Sequence, residues 1–459
     1  MNVLYNPVFF TKVAKAYLLD INRVWKLNEE KIKKHQDKAL RNTIKYAYTV
    51  PIYHQKYKKA NIHPNDITGI KDIEKLPFIT KNDLRNAKLE DLIPKGTNEK
   101  KLLRVSTSGS TGRSVSIYSD PYTVFKTFMG FIRTIKEHDI NWRKNRMTII
   151  SDQSPESAEE AYFSRVTLPS VNSFFSMDNI QSLHVGEKPE KMIEKINKFN
   201  PEMIGGYPGI LKILAILKRQ GKGENIQPRI ISSSGSILDQ YTREYIEKSF
   251  NTKIFDMYGA TECSPIAFQC KKGNYHVMSD FSYMELVEYD KKCISPGDVG
   301  NLVITRLFGK GTPIIRYTGL SDMITATDRK CDCEMNTPLI EKIEGRRVDC
   351  IILPDCKIIP PSSFTGIPYK VMHRLKTDKI QQFQIIQQSK KEIDVLIVID
   401  NKQRNIGPKT DKIFNELKKE FVKNIGKNIE INIKEVEKIG NIRENSVTPP
   451  PVVLSKVKQ

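Results

Sequence analysis

Val105-Ser-Thr-Ser-Gly-Ser-Thr-Gly-Arg-Ser114 runs straight into a β-like Ser114-Val115-Ser116-Ile117-Tyr118. Glycines let a backbone turn its N–H groups inward and hydroxyls add donors, so such a loop can wrap phosphate oxygens. It lacks the G-x-x-x-x-G-K-[ST] frame and is therefore no Walker loop. On its own it reads equally well as a polar connection, and the pattern downstream decides between the two. From 146 to 263 strand and helix patterns alternate. Met147 to Ile150 and Arg229 to Ser232 read as short strands, and Lys188 to Phe199, Gly209 to Arg219 and Leu238 to Ser249 as helices. That alternation predicts an α/β fold of layered sheets.

Working outward, residues 1 to about 100 read as helical and basic, with Thr80 as an N-cap. From about 275 to 345 the pattern turns β-rich, through Tyr283 to Glu288 and Gly300 to Thr305. Residues 350 to 440 have a different order: paired strands at 379–387 and 393–399, a helix at 409–423, and a strand at 429–436. The expectation is a large N-terminal domain, 1–347, with a β-rich subdomain, and a small mobile C-terminal α+β domain, 348–459. The tail carries Pro449-Pro450-Pro451 and is not expected to continue regular structure.

A chain of 459 residues, 39% hydrophobic, can bury a large core and is too long for one typical domain. The formal charge of +21 admits nucleic acid, anionic membrane or phosphorylated ligands. The lysines are interleaved with glutamates, as in Lys434-Glu435-Val436-Glu437-Lys438, and no basic block with aromatics occurs. The charge therefore reads as a solvated surface, with no nucleic-acid partner expected. Seven cysteines, an odd count, fit a reducing compartment rather than a disulfide scaffold. With no signal-peptide pattern and no run of 18 or more apolar residues, a cytoplasmic protein without a membrane span is expected.

Four further segments come after the loop in order: Ser232-Ser-Ser-Gly-Ser236, Asp256-Met-Tyr-Gly-Ala-Thr-Glu262, Arg316-Tyr-Thr-Gly-Leu-Ser-Asp322 and Glu344-Gly-Arg-Arg-Val-Asp349. The ordered set resembles the adenylate-forming superfamily of acyl-CoA synthetases, peptide-synthetase adenylation domains and luciferases. Leu76-Pro-Phe-Ile-Thr-Lys-Asn-Asp-Leu84 and Gly205-Gly-Tyr-Pro208 are similar to signatures of its phenylacetate-CoA ligase branch, which includes proteins of capsular polysaccharide biosynthesis. The resemblance spans roughly residues 75 to 445. It implies that ATP activates a carboxylic acid, acyl or aryl, as an acyl-AMP, with CoA as a further acceptor. It also implies roles for particular residues. Ser108, Gly109, Ser110, Thr111 and Gly112 hold the β- and γ-phosphates. Ser234, Gly235, Asp256, Tyr258 and Gly259 line the adenine pocket; Tyr207, whose Tyr-Pro pair reads equally well as plain packing, is apart from the resemblance a candidate neighbour of the acid. Thr261 touches the α-phosphate, Glu262 helps hold Mg2+, Asp322 takes the ribose hydroxyls, and Arg346 sits beside them. The Gly345-Arg346 segment marks the hinge about which the small domain turns. The partner is then a small-molecule acid or other adenylate acceptor, and a homodimer is left open.

Cys270, His276, Cys331 and Cys333 offer three thiolates and an imidazole, a set suited to structural Zn2+, with unconnected reduced thiols as the alternative. Members of the branch often carry such residues at matching places. Three departures are small: Arg113-Ser114 replaces Lys-Pro, Gly235-Ser236 replaces Gly-Glu, and the interval to Asp322 is one residue longer. The fourth is chemical. Gly440-Asn441-Ile442-Arg443 places Asn441 at the lysine that bridges carboxylate and α-phosphate, with Lys438 and Lys456 as nearby substitutes. Losing one such cation removes about 3–4 kcal/mol of transition-state stabilisation, or about 10²–10³ in rate. Two other functions therefore stand beside the first: AMP transfer to a non-carboxylate acceptor, as in deazaflavin-adenylating relatives, and a catalytically silent nucleotide-binding protein of polysaccharide biosynthesis.

Overall fold

The computed structural model describes residues 2–107, 115–263, 265–288, 295, 297–439 and 452–457. Its fold is α/β with several sheets. Eight strands form the central sheet in the order Leu339–Ile340, Tyr275–Val277, Ala267–Gln269, Lys253–Tyr258, Ile230–Ser234, Met203–Gly206, Met147–Ser151 and Ile180–His184. The last five run parallel and the first three are antiparallel additions. Neighbouring residues in the parallel strands face opposite cores. Ile150, Ile204, Ile231 and Ile254 pack under Pro189–Phe199, Pro208–Arg219 and Gln240–Phe250. Met147, Met203, Ile230 and Phe255 pack under Pro121–Glu137, with Ala16 of Pro7–Asp20 in the same cluster. Both faces are covered, which is why these strands read as apolar runs and not as alternating ones.

A second sheet is antiparallel, ordered Ser282–Val287, Val299–Arg306, Asp322–Thr325, Lys342–Arg346. A third core holds the helical N-terminal stretch (Leu40, Ile44, Tyr53, Ile79, Leu84) together with Val105, Val115, Cys263 and Tyr317. The basic amino-terminal part is thus packed against the strands that carry the motifs.

Beyond the short turn Arg347–Asp349 a separate core begins, running from Ile351 to Val453. Its sheet is ordered Glu430–Glu435, Glu392–Ile399, Ile380–Ser389, Val453–Ser455, covered by Thr410–Ile425. Val453–Ser455 corrects one expectation. After the three prolines the chain returns and pairs parallel with Ile385–Gln387, burying Val453. The two bodies meet at Pro208–Arg219. Arg219 pairs with Asp378 at 2.8 Å, and Lys212 Nζ sits 3.1 Å from the ring centroid of Tyr369. No helix among the described residues is long and apolar enough to cross a membrane.

Candidate active site

Strand pairing brings the first group of residues together. Asp322 opens its strand and lies opposite Arg346 in antiparallel register, with the Nε of Arg346 4.0 Å from Oδ1 of Asp322. Gly345, at φ +105°, has Ile237 and Pro361 so close that a Cβ would sit within 3 Å of both. Tyr258 ends the strand Lys253–Tyr258, and its hydroxyl donates to Asp322 Oδ2 at 2.5 Å. Burial pushes the Asp322 carboxyl up, while the Tyr258 hydrogen bond and the charges of Arg346 and Lys81 pull it back. A carboxylate with one oxygen committed and a guanidinium alongside can accept two further hydroxyl donors.

Glu262 is buried in the turn after Tyr258, with Thr261 half-buried beside it. Its Oε1 accepts from the Tyr317 hydroxyl at 3.0 Å, and its carbonyl from Arg306 at 3.1 Å. Burial raises its carboxyl above the ordinary range, and Lys81 and Arg346 oppose that. Gly259 is also half-buried here. Ser234 ends the neighbouring parallel strand. Gly235 comes next at φ +81°, with the Tyr207 ring only 2.4 Å from where a Cβ would stand. Tyr207 donates to Glu159 at 2.9 Å. Asp256 is fully enclosed: Tyr275 donates to its Oδ2 at 2.5 Å, and burial raises its carboxyl to about 6. The structure therefore turns Asp256 towards the antiparallel strands of the sheet.

Ser108, Gly109, Ser110, Thr111 and Gly112 lie outside the described residues, as does Asn441. The flanks of the loop are described: Leu103–Ser106 pairs antiparallel with Ser116–Ser119, so Ser106 faces Ser116 with hydroxyls 2.8 Å apart. Lys456 is engaged within the small body, donating to Gln388 at 2.6 Å. Three neighbours of the site carry no role readable from sequence: Lys81, Tyr317 and Glu159. Lys81 and Tyr317 sit inside the motifs at 76–84 and 316–322, so the signal lies at the right positions without revealing a task. Glu159 carries no local pattern.

The four metal-ligand candidates gather from three places. Their ligand atoms all lie within 4.8 Å of one another. Cys270 and Cys331 sulfurs are 3.8 Å apart, and Cys333 Sγ is 3.2 Å from His276 Nε2. A tetrahedron with metal–sulfur bonds of about 2.3 Å has an edge of about 3.8 Å. The other ring nitrogen, Nδ1 of His276, is 3.1 Å from Thr337 Oγ1, and Asn274 donates to Cys331 Sγ at 3.1 Å. Such outer contacts orient an imidazole and stabilise a thiolate, so the donor set fits zinc.

Compared with known proteins, the chain is similar to the CapK protein of Staphylococcus aureus, at 23% identity over 445 residues, 96% of this chain and 91% of that one. It is 25% identical to the phenylacetate-coenzyme A ligase of Pseudomonas putida over 352 residues, 72% of this chain and 74% of the ligase. No family model matches. Among solved structures, 2-hydroxyisobutyryl-CoA ligase in its postadenylation state superposes with a TM-score of 0.76 at 15% identity, covering 94% of this chain and 90% of that one. In its thioesterification state the same ligase gives 0.62, covering 95% and 91%. At these identities the structural likeness establishes the fold.

Proposed function

We propose that this chain, which resembles the phenylacetate-CoA ligase and CapK branch of the adenylate-forming superfamily, binds ATP with Mg2+ and transfers AMP to a small-molecule carboxylic acid. The observation that carries the reading is the convergence of Tyr258, Asp322, Arg346 and Glu262 at one end of the strand Lys253–Tyr258. Asp322 accepts the ribose hydroxyls, Tyr258 holds Asp322 in place, and Arg346 balances its charge. Ser234 and Gly235, with Tyr207 behind them, form the floor on which adenine lies. Asp256, held by Tyr275 and paired in register with Ser233, lines the adenine side. The loop residues Ser108, Gly109, Ser110, Thr111 and Gly112 wrap the outer phosphates. Thr261 contacts the α-phosphate. Glu262 would hold Mg2+ beside the triphosphate, and the ion would supply positive charge there. CoA is the second acceptor, reached when the 348–459 body turns about Arg347–Asp349. The two bodies stand closer to the postadenylation arrangement of 2-hydroxyisobutyryl-CoA ligase than to its thioesterification arrangement, and transfer to CoA would need the second.

Titration calorimetry with ATP and AMP, then pyrophosphate release across a panel of acids with and without CoA, tests the proposal. Asp322→Ala should weaken nucleotide binding. A protein that binds neither nucleotide would refute it.

A second reading is favoured by one residue. Asn441 places an amide where an ammonium is usual, and an amide cannot neutralise a developing phosphate charge as well. Nucleotide binding with no turnover of any acid would give precedence to AMP transfer to a non-carboxylate acceptor.

A further inference from the structure

The helix Pro7–Asp20 lies on the outside of the large body. It turns Phe9, Val13, Ala16 and Tyr17 into the core beneath Pro121–Glu137, with the Phe9 and Phe125 ring centroids 6.0 Å apart. Those four positions complete the apolar stripe that a helix of this length needs for packing. Val8, Leu18 and Leu19 fall on the opposite face, where packing gives no reason for them. Val8 is 80% exposed and Leu18 72%.

A second exposed group adjoins them. The turn after Leu168–Asn172 leaves Phe174 and Phe175 in solvent. The Phe174 ring is 5.8 Å from that of Tyr5 and 5.4 Å from that of Phe10, and the Asn2 side chain donates to the Ser170 carbonyl at 3.0 Å. Of the twelve large hydrophobic side chains exposed among the described residues, seven stand on these two adjoining segments. Such a concentration marks an interaction surface, whereas single exposed side chains do not.

The charge there has one sign. Residues 2–19 and 141–146 contain no acid. Asp20 is buried and paired with Arg23 and Lys126, and Asp178, which accepts from Ser176 Oγ at 2.7 Å, is the one acid in 172–178. Exposed Lys12, Lys15, Arg143 and Lys144 lie beside the apolar groups. Lys12 Nζ is 3.9 Å from the Tyr122 ring centroid, and the Arg143 guanidinium is 4.3 Å from that of Phe175. Cations interleaved with rings and leucines fit the boundary of an anionic bilayer: the apolar groups enter the headgroup layer and the ammonium groups reach lipid phosphates. A second copy meeting this face with its own would instead set cation against cation.

We propose that Pro7–Asp20 and the 172–176 turn form a docking surface for an anionic phospholipid bilayer, on which the chain lies without crossing it. The Tyr258–Asp322 site is no part of this face, so the proposal stands or falls apart from the adenylate-forming reading.

The test is flotation of the full chain with vesicles of phosphatidylcholine alone and of equal parts phosphatidylcholine and phosphatidylglycerol. Each cation near an anionic surface contributes about fivefold, so the mixed vesicles should bind at least about 100-fold more tightly, and added salt should reverse most of this. Phe174→Ser with Phe175→Ser should weaken binding about 10- to 100-fold. Lys15→Gln with Lys144→Gln should weaken it about 10- to 30-fold. Every side chain changed is exposed, so native circular dichroism should persist. Ile406→Ser, and Lys418→Gln with Lys423→Gln on the helix Thr410–Ile425, alter exposed side chains of the small body and should change binding by less than about twofold. Equal losses from the two lysine pairs would show a diffuse attraction to the whole basic surface and overturn the proposal. So would a native chain that ignores both vesicles, whether light scattering finds it a monomer or a dimer that Phe174→Ser with Phe175→Ser splits.

Discussion

Stripping the metal from the Cys270, His276, Cys331 and Cys333 cluster should cost the large body about 4 kcal/mol. The cluster ties the stretch at Cys270 and His276 to the stretch at Cys331 and Cys333, beside a short strand pair, and Cys333 lies 57 positions after His276. Treating the metal as a cross-link, closing a loop of about 57 residues removes roughly 14 cal/mol/K of entropy from the unfolded chain, or about 4 kcal/mol at room temperature. For a body of this size that corresponds to a fall in Tm on the order of 5 °C. Elemental analysis should find one zinc per chain in freshly purified protein. Scanning calorimetry with and without a strong chelator should then show the shift. Trp25 packs against the same small cluster as Cys270, Cys331 and Cys333, so its emission should move to the red as the metal leaves. Cys333→Ser should reproduce the loss, and Cys356→Ser, at an exposed and unclustered thiol, should not. Metal-free protein that melts at the same temperature with and without chelator would refute the reasoning.

Asp256 supplies a pH dependence. Its folded carboxyl titrates near about 6, against 3.8 for the free group, because burial disfavours the charge. A raised acid contributes stability that is present in full below pH 3.8 and is lost as pH rises through 6, at most about 3 kcal/mol. Asp256→Asn should therefore be more stable than the native chain in urea at pH 7.5 and lose that advantage near pH 4; equal gains at both pH values would contradict it. Asn441→Lys should raise pyrophosphate exchange with a suitable acid by about 10- to 10³-fold while leaving ATP affinity unchanged. If the native chain already turns over acids at a rate that Lys438→Ala abolishes, the lysine has moved and Asn441 is not its replacement.

Most of the fold was legible because its strands and helices carry local signals. Isoleucine and methionine runs marked the parallel strands, and Thr80 with Asp83 marked a helix start that the structure bears out as a capping box. Tyr258, Asp322 and Arg346 stood in recognisable motifs, and their convergence needed only the strand register to be confirmed. What escaped was long-range. The bridge from Ile79 to Tyr317 spans more than 200 residues and has no periodicity to betray it. Val453–Ser455 hid behind three prolines because a parallel partner leaves no turn signal nearby. The enclosure of Asp256 depends on Tyr275 arriving from an antiparallel strand, which its own motif does not foretell.

Lys212, pressed between the two bodies, makes their contact sensitive to acid. It faces Asp239 and Asp378 as well as the rings of Tyr245 and Tyr369, with Arg219 on the next turns of its helix. Burial holds the amine well below its ordinary lysine value, and the two carboxylates only partly restore it. Any swing that lifts Tyr369 away returns the amine to water, where it regains its ordinary affinity for a proton. Parting at neutral pH then draws a proton from the medium, and the closed arrangement strengthens as pH climbs towards the free-lysine range. The heat of that parting should scale with the ionisation enthalpy of the buffer, and heats that ignore the buffer would deny the coupling. Each parting of the two bodies would thus take up hydrogen ions at a lysine of the helix Pro208–Arg219.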